Sequence, residues 1–164
     1  MRFKTWLESR ELENNPVDIL YVGAILTRKS QMHLLESVSR RVDIPENWKK
    51  ICHHMTICFK PEGVCKIPVI GDDISLVVTE ICSDDKAVAV RLEPNINKAE
   101  LKMTREPHIT VAVAPGVSPL YSNELITKPG MKMSQALILE AFLGAKLKNG
   151  TIMPERTDTA LESL

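Results

Sequence analysis

The sequence predicts an α/β or α+β fold in which strands outnumber helices. Three observations lead there. Short apolar, β-rich runs recur along the chain, clusters of Gly, Pro, Asn and Asp separate them, and one stretch repeats its apolar residues at helical spacing instead. The chain has 164 residues, which suits one domain with a real core.

The elements follow in order. Residues 1–18 are polar and charged up to Asn14-Asn15-Pro16 and read as a short helix entering a loop. Ile19 to Leu26 is an apolar run of strand length. Thr27 or Ser30 can cap the helix that follows, where Met32, Leu35, Val38 and Val42 share a face, and Pro45 ends it. Cys52 to Phe59 is a second strand, closed by Lys60-Pro61-Glu62-Gly63. Ile74 to Cys82 and Ala87 to Leu92 form a hairpin around Ser83-Asp84-Asp85-Lys86. Residues 94–106 are polar and partly helical. Pro107 opens a strand from His108 to Ala114, and residues 115–135 form a long loop. Ala136 to Leu147 reads as strand rather than helix, because Asn149-Gly150 is a strong hairpin signal and Thr151-Ile152-Met153 can return beside it. Residues 154–164 are a polar, frayed tail. The organisation is therefore a single domain over 1–164, with an extension (1–18), a core (19–153) and a tail (154–164).

Composition narrows the function. Lys plus Arg and Asp plus Glu are both 21, so the net charge is zero, which disfavours a protein that tracks long nucleic acid. A small nucleotide or a nucleic-acid end fits better. Met1-Arg2-Phe3-Lys4-Thr5-Trp6 carries no secretory signal, and no apolar stretch reaches the ~18 residues of a membrane span. Cys52, Cys58, Cys65 and Cys82 form neither a disulfide framework nor CxxC and read as reduced thiols of a cytoplasmic protein.

Two segments share one pattern. His54-Met55-Thr56-Ile57-Cys58 and His108-Ile109-Thr110-Val111-Ala112 both run His, apolar, Thr, apolar, small. In a strand, side chains alternate between faces, so each segment turns an imidazole and a hydroxyl one way and buries its apolar residues the other way. Two such strands side by side suit phosphodiester cleavage. One neutral histidine takes a proton and a second, protonated one donates, each with an ordinary pKa of about 6.5. Thr56 and Thr110 can bond the non-bridging oxygens as charge builds. A bell-shaped rate with both limbs near neutrality follows. Neither a metal nor a cofactor is called for. A zinc set of Cys52, His53, Cys58 and Cys65 fails, because alternation places Cys52 with His54 and Cys58 and turns His53 away.

With these motifs the sequence resembles the 2H phosphoesterases, which carry two His-x-Thr/Ser motifs and include LigT-like RNA phosphodiesterases, cyclic phosphodiesterase domains of tRNA ligases, and phage and viral enzymes that destroy immune nucleotide messengers. The resemblance spans roughly residues 19–147. It implies an α+β, bilobal, pseudo-symmetric fold, with antiparallel sheets lining a central cleft and helices outside. It also implies metal-free hydrolysis of cyclic phosphates or of 2′–5′ or 3′–5′ linkages. His54, Thr56, His108 and Thr110 match its motif. The expected function is hydrolysis of a small cyclic or oligomeric nucleotide, such as a cyclic dinucleotide messenger. The alternatives are end-processing of RNA 2′,3′-cyclic phosphate and a non-catalytic RNA or nucleotide-binding module. No membrane and no obligate protein partner is expected.

Four further residues are candidates for holding substrate. Tyr21, on the first strand, could stack on a base, although a packed core tyrosine reads the same way. Tyr121 could close over the site from the long loop, although an ordinary exposed loop tyrosine fits equally well. Trp48 lies shortly before the first motif, where a packing role is equally natural. Glu140 is the lone acid in Ala136 to Ala145 and could read a base or orient a histidine, unless it simply faces solvent. Lys60 and Arg105 flank the motifs and could meet phosphate, although charges at strand ends are usually just solvated.

Overall fold

The structure is a computed structural model that describes residues 19–59, 70–95, 103 and 105–164. The expected helix in 1–18, the turn at Lys60–Gly63, Cys65 and most of 94–106 lie outside these residues.

The apolar run Ile19–Leu26 forms β1, and Arg28–Ser39 forms α1. Thr27 caps α1 by accepting from the Ser30 backbone N–H at 3.2 Å, which satisfies one of the free donors of the first turn. The remaining strands are β2 (Lys49–Lys50), β3 (His54–Phe59), β4 (Asp73–Ser83), β5 (Ala87–Pro94), β6 (His108–Val113), β7 (Met131–Leu147) and β8 (Ile152–Met153). A 3-10 turn at Pro119–Tyr121 leads into α2, a single turn at Ser122–Leu125. The stretch expected to be a long loop is thus a turn, a short helix and the beginning of β7.

Six strands run antiparallel in the order β1-β3-β6-β5-β4-β7, and β7 pairs back onto β1. The sheet closes into a barrel. β2 extends β6, and β8 returns beside the end of β7 through the Asn149-Gly150 turn, where Gly150 takes a φ of 90°.

This corrects the expected α+β, bilobal fold with sheets around a cleft and helices outside. The reason lies in β7. Its 17 residues, at roughly 3.3 Å each, are long enough to serve two neighbours. Leu137 to Phe142 pair with β4, and Ala141 to Leu147 pair with β1. Two lobes would need two cores. Instead Ala24, Met55, Ile109, Val90, Leu76 and Leu139, one from each barrel strand, lie in one buried cluster, which Leu34 and Val38 of α1 join. Helix is confined to α1 and α2 among the described residues.

The tail is docked rather than frayed. Arg28 N–H donates to Asp158 O at 2.7 Å, and Ala160 N–H donates to Leu26 O at 3.0 Å. The fully buried Gln31 amide donates to Ile51 O and Leu161 O and accepts from the Leu161 N–H. One side chain thereby joins α1, the approach to β3 and the C-terminal segment. The reading of all four cysteines as reduced thiols is also corrected, because Cys58 is disulfide-bonded while Cys52 and Cys82 are free. No helix among the described residues is long and apolar enough to cross a membrane.

Candidate active site

The two His-x-Thr segments lie on neighbouring strands. β3 and β6 pair antiparallel with Met55 opposite Ile109. Extended one residue to either side, that single pair would set His54 opposite Thr110 and Thr56 opposite His108. Met55, Ile57, Ile109 and Val111 are buried in the barrel core. By alternation the two histidines and two threonines share the outer face of the wall. In that register they would stand at the corners of a square, the histidines on one diagonal. Such a diagonal spans about 7–8 Å, and His108 is near enough to help lower the proton affinity of His54.

The surroundings of the two histidines differ. His108 is half-buried, and its Nδ1 lies 2.8 Å from Glu106 O, so Nδ1 carries a proton and donates it. Burial lowers its pKa, the bond to Glu106 opposes the shift, and Arg105 adds to it. His54 is held on its other side. Its Nδ1 lies 3.2 Å from Tyr21 Oη and 3.1 Å from His53 Nδ1, and its ring stacks on Tyr21 at 4.1 Å and 13°. Burial, then the neighbouring His53, Lys146 and His108, push the His54 pKa down to about 3.

His53 is a correction in its own right. Strand alternation was expected to turn it away, yet it lies edge-on to His54 and is 3 % exposed. The cause is Cys52, whose φ of 48° falls in the left-handed region that non-glycine residues seldom adopt. Cys52 N–H donates to Thr110 O at 3.1 Å and Ile51 N–H to Val111 O at 2.8 Å, so the chain is fastened to β6 before β3 begins. The alternation starts only at His54.

A family model described as the fungal tRNA ligase phosphodiesterase domain matches residues 30–152. The chain belongs to this family. The tRNA ligase phosphodiesterase domains are a member of the 2H phosphoesterase superfamily. The match spans both motifs of this phosphodiesterase-domain protein, together with the barrel strands β3 to β7. A comparison with curated proteins found no match.

The four candidate substrate contacts fall in different places in this family member. Tyr21 stacks on His54 and is 5 % exposed, so its ring already has a partner. Tyr121 lies next to Ser122, donates to Asp84 Oδ2 at 2.5 Å and sits between Lys86 and Lys128. Trp48 packs half-buried against the core, as do Val42 and Ile44. Glu140 is exposed on β7 opposite Ser75 and beside the start of α1, on a strand that does not border β6. Arg105 is exposed just before β6, and Lys60 lies outside the described residues. Among the described residues no group of three or more His, Cys, Asp or Glu side chains is arranged to hold a metal.

Ser122 escaped the sequence reading. It is fully buried, and its Oγ accepts from Thr110 Oγ1 at 2.8 Å, which orients the second threonine. No periodicity marks a serine that reaches a strand from a single helical turn.

The buried imidazoles carry a consequence for stability. His53, His54 and His108 all have lowered pKa values in the folded state, with burial the largest cause each time. The unfolded chain binds protons at these sites from about pH 6.5 downward, while the folded chain resists. Their contribution is fully present above that pH and drains away as pH falls toward about 3 for His54. Urea midpoints measured from pH 8 to pH 4 are expected to fall steadily below about 6.5. Midpoints that hold level down to pH 4 would show that these imidazoles are not buried neutral.

Proposed function

We propose that this protein is a phosphodiesterase that opens 2′,3′-cyclic phosphates at RNA ends by acid–base catalysis between His54 and His108. The observation that carries the reading is the Met55–Ile109 register, which supports two His-Thr pairs on one face of neighbouring strands. Membership of the tRNA ligase phosphodiesterase family favours an RNA end over the small messenger nucleotide first expected.

The two environments separate the roles. Groups whose surroundings push their pKa values apart divide naturally into base and acid. His54 is the harder to protonate and serves as base, with Nε2 toward the phosphate because Nδ1 is engaged. His108 serves as acid, because its Nδ1–H keeps the Glu106 carbonyl when the ring is positively charged and its Nε2–H is free to act. A water gives its proton to His54 and its oxygen bonds to phosphorus. The bond from phosphorus to one ribose oxygen breaks, and that oxygen takes the proton of His108. The Thr56 hydroxyl donates to a non-bridging oxygen, and Thr110 joins it when its hydrogen turns from Ser122 Oγ to the phosphate and Ser122 donates in its place. Afterwards His54 returns its proton to solvent and His108 regains one.

The pH profile follows. The base limb of kcat/KM rises with the His54 pKa of about 3, and the acid limb falls with a His108 pKa below its ordinary value. The optimum is expected on the acid side of neutrality, displaced from the profile that unperturbed histidines would give. A profile still rising at pH 8 would overturn the assignment.

The direct test is an EDTA-treated hydrolysis panel. It contains nucleoside 2′,3′-cyclic phosphates, RNA ending in 2′,3′-cyclic phosphate, cyclic dinucleotides and 2′–5′ oligoadenylate. Opening of the cyclic phosphates, undiminished by EDTA, is expected. A strict need for an added divalent ion would remove the two-histidine mechanism. Cleavage of the dinucleotide or oligomer alone would replace the RNA-end reading, and binding without cleavage would leave a binding module.

A further inference from the structure

The buried residue that the mechanism leaves unused is His53. It is 97 % removed from solvent, it touches the proposed base, and its Nε2 has no hydrogen-bond partner among the described residues. A buried polar atom without a partner costs about 1–3 kcal/mol, so its retention calls for a reason.

The protons in this cluster can be placed by balance. Three atoms meet: His54 Nδ1, His53 Nδ1 and Tyr21 Oη, separated by 3.1, 3.2 and 3.5 Å. Between the two nitrogens there is room for one proton. Two would repel, and none would set two lone pairs against each other. Burial raises the Tyr21 pKa above its ordinary value, so the phenol keeps its hydrogen. Two arrangements remain. In one, His53 donates, His54 Nδ1 is bare and the His54 proton sits on Nε2, where it blocks the lone pair a base needs. In the other, His54 Nδ1–H donates to the single lone pair of His53 Nδ1 at 3.1 Å, and Tyr21 Oη, 3.2 Å away, takes a weaker share of the same hydrogen. The His54 Nε2 lone pair then faces the phosphate. The second arrangement leaves His53 with its proton on Nε2, the atom that lacks a partner.

We infer that His53 is a positioning residue, with Tyr21 as its helper: its Nδ1 accepts the His54 Nδ1 proton and so holds the His54 Nε2 lone pair toward the substrate. This rests on His54 as the base of the proposed reaction. The neutral acceptor also steadies the ring when it becomes an imidazolium, because the Nδ1–H bond is already in place. The pairing depends on the backbone at Cys52, which brings His53 beside His54 rather than behind the strand. The other charged groups that act on His53 are Glu162 of the C-terminal segment and Lys146 of β7, which oppose each other and form an ion pair at 2.6 Å.

The test reads the tautomer itself. Long-range proton–nitrogen NMR spectra of histidine-labelled protein distinguish a protonated ring nitrogen from a bare one, and only His33, His53, His54 and His108 need assigning. In the wild type, near neutral pH, His54 is expected to carry its proton on Nδ1. In His53→Leu, Tyr21 remains to donate to His54 Nδ1, and the proton is expected to move to Nε2. His53→Asn supplies a carbonyl acceptor and is expected to restore the wild-type pattern. The kcat for a nucleoside 2′,3′-cyclic phosphate should fall about 10- to 100-fold in His53→Leu, less than or at the lower end of the loss expected when the proton-transfer group itself is removed. KM should hold and kcat should recover in His53→Asn. A wild-type His54 with its proton on Nε2 overturns the inference without any variant having to fold, and so does a His53→Leu spectrum that matches the wild type. If the tautomers behave as expected while no phosphodiester is cleaved, the proton placement stands and the proposed reaction falls.

Discussion

Alanine at His108 is expected to slow the opening of a nucleoside 2′,3′-cyclic phosphate by about 10²–10⁴-fold. His54→Ala should cost a similar factor by the opposite route. The first leaves the departing ribose oxygen without a proton, and the second leaves the attacking water with one too many. Because the two imidazoles serve one proton-transfer event, the double variant should lose little more than the worse single one. Both rings lie on the outer face of the wall and leave the core residues Met55 and Ile109 in place, so folding should survive. Single-turnover rates for the three variants check this. A loss below tenfold in either single variant would remove that histidine from the reaction, and fully multiplicative losses would separate the two into unrelated roles.

Gly23→Ala is expected to destabilise the fold by about 1–3 kcal/mol or more. Gly23 pairs with Thr56 at the irregularity in the β1–β3 ladder. A Cβ there would stand 2.4 Å from Met55 O and 3.3 Å from its carbon. Both are backbone atoms, and backbone cannot rotate aside as a side chain would. β1 and β3 must part, and the strand pushed away carries His54 and Thr56. For a chain of this length each kcal/mol lowers Tm by about 2–4 °C, and hydrolysis should fall even in the fraction that stays folded. An unchanged Tm would mean that β3 is free to slide outward, contrary to its ladder with β1 on one side and the Met55–Ile109 pair on the other.

The pairing of histidine and threonine on each motif was legible because strand alternation is local and has a period of two. The same holds for the Thr27 cap, the hairpin between β4 and β5 and the Asn149-Gly150 turn, each set by a few adjacent residues. Barrel closure was not legible. Nothing in Met131 to Gln135 announces a strand, because those residues are ordered by pairing with Glu80 and Ile81 far away. The burial of His53 was hidden for a related reason: alternation was extended back through Cys52, and a positive φ at a cysteine leaves no mark in composition. Ser122 and Gln31 act through contacts between segments distant in sequence, which periodicity cannot report.

Closure of the wall by β1 and β7 fixes the order in which the molecule can assemble. Ile25 lies opposite Phe142 on one side and His54 on the other, so the strand that carries the first motif borders one that is completed by nearly the last part of the chain. Contacts between such distant positions form slowly, since the entropy of closing the intervening loop is lost before they reward it. The hairpin of β4 and β5, with β6 beside it, can form early from nearby residues. His108 and Thr110 would then be in place while His54 is still searching. During refolding, recovery of hydrolysis should lag the bulk of the strand signal, and truncation near the end of β7 should leave a partly folded chain with half of its chemistry.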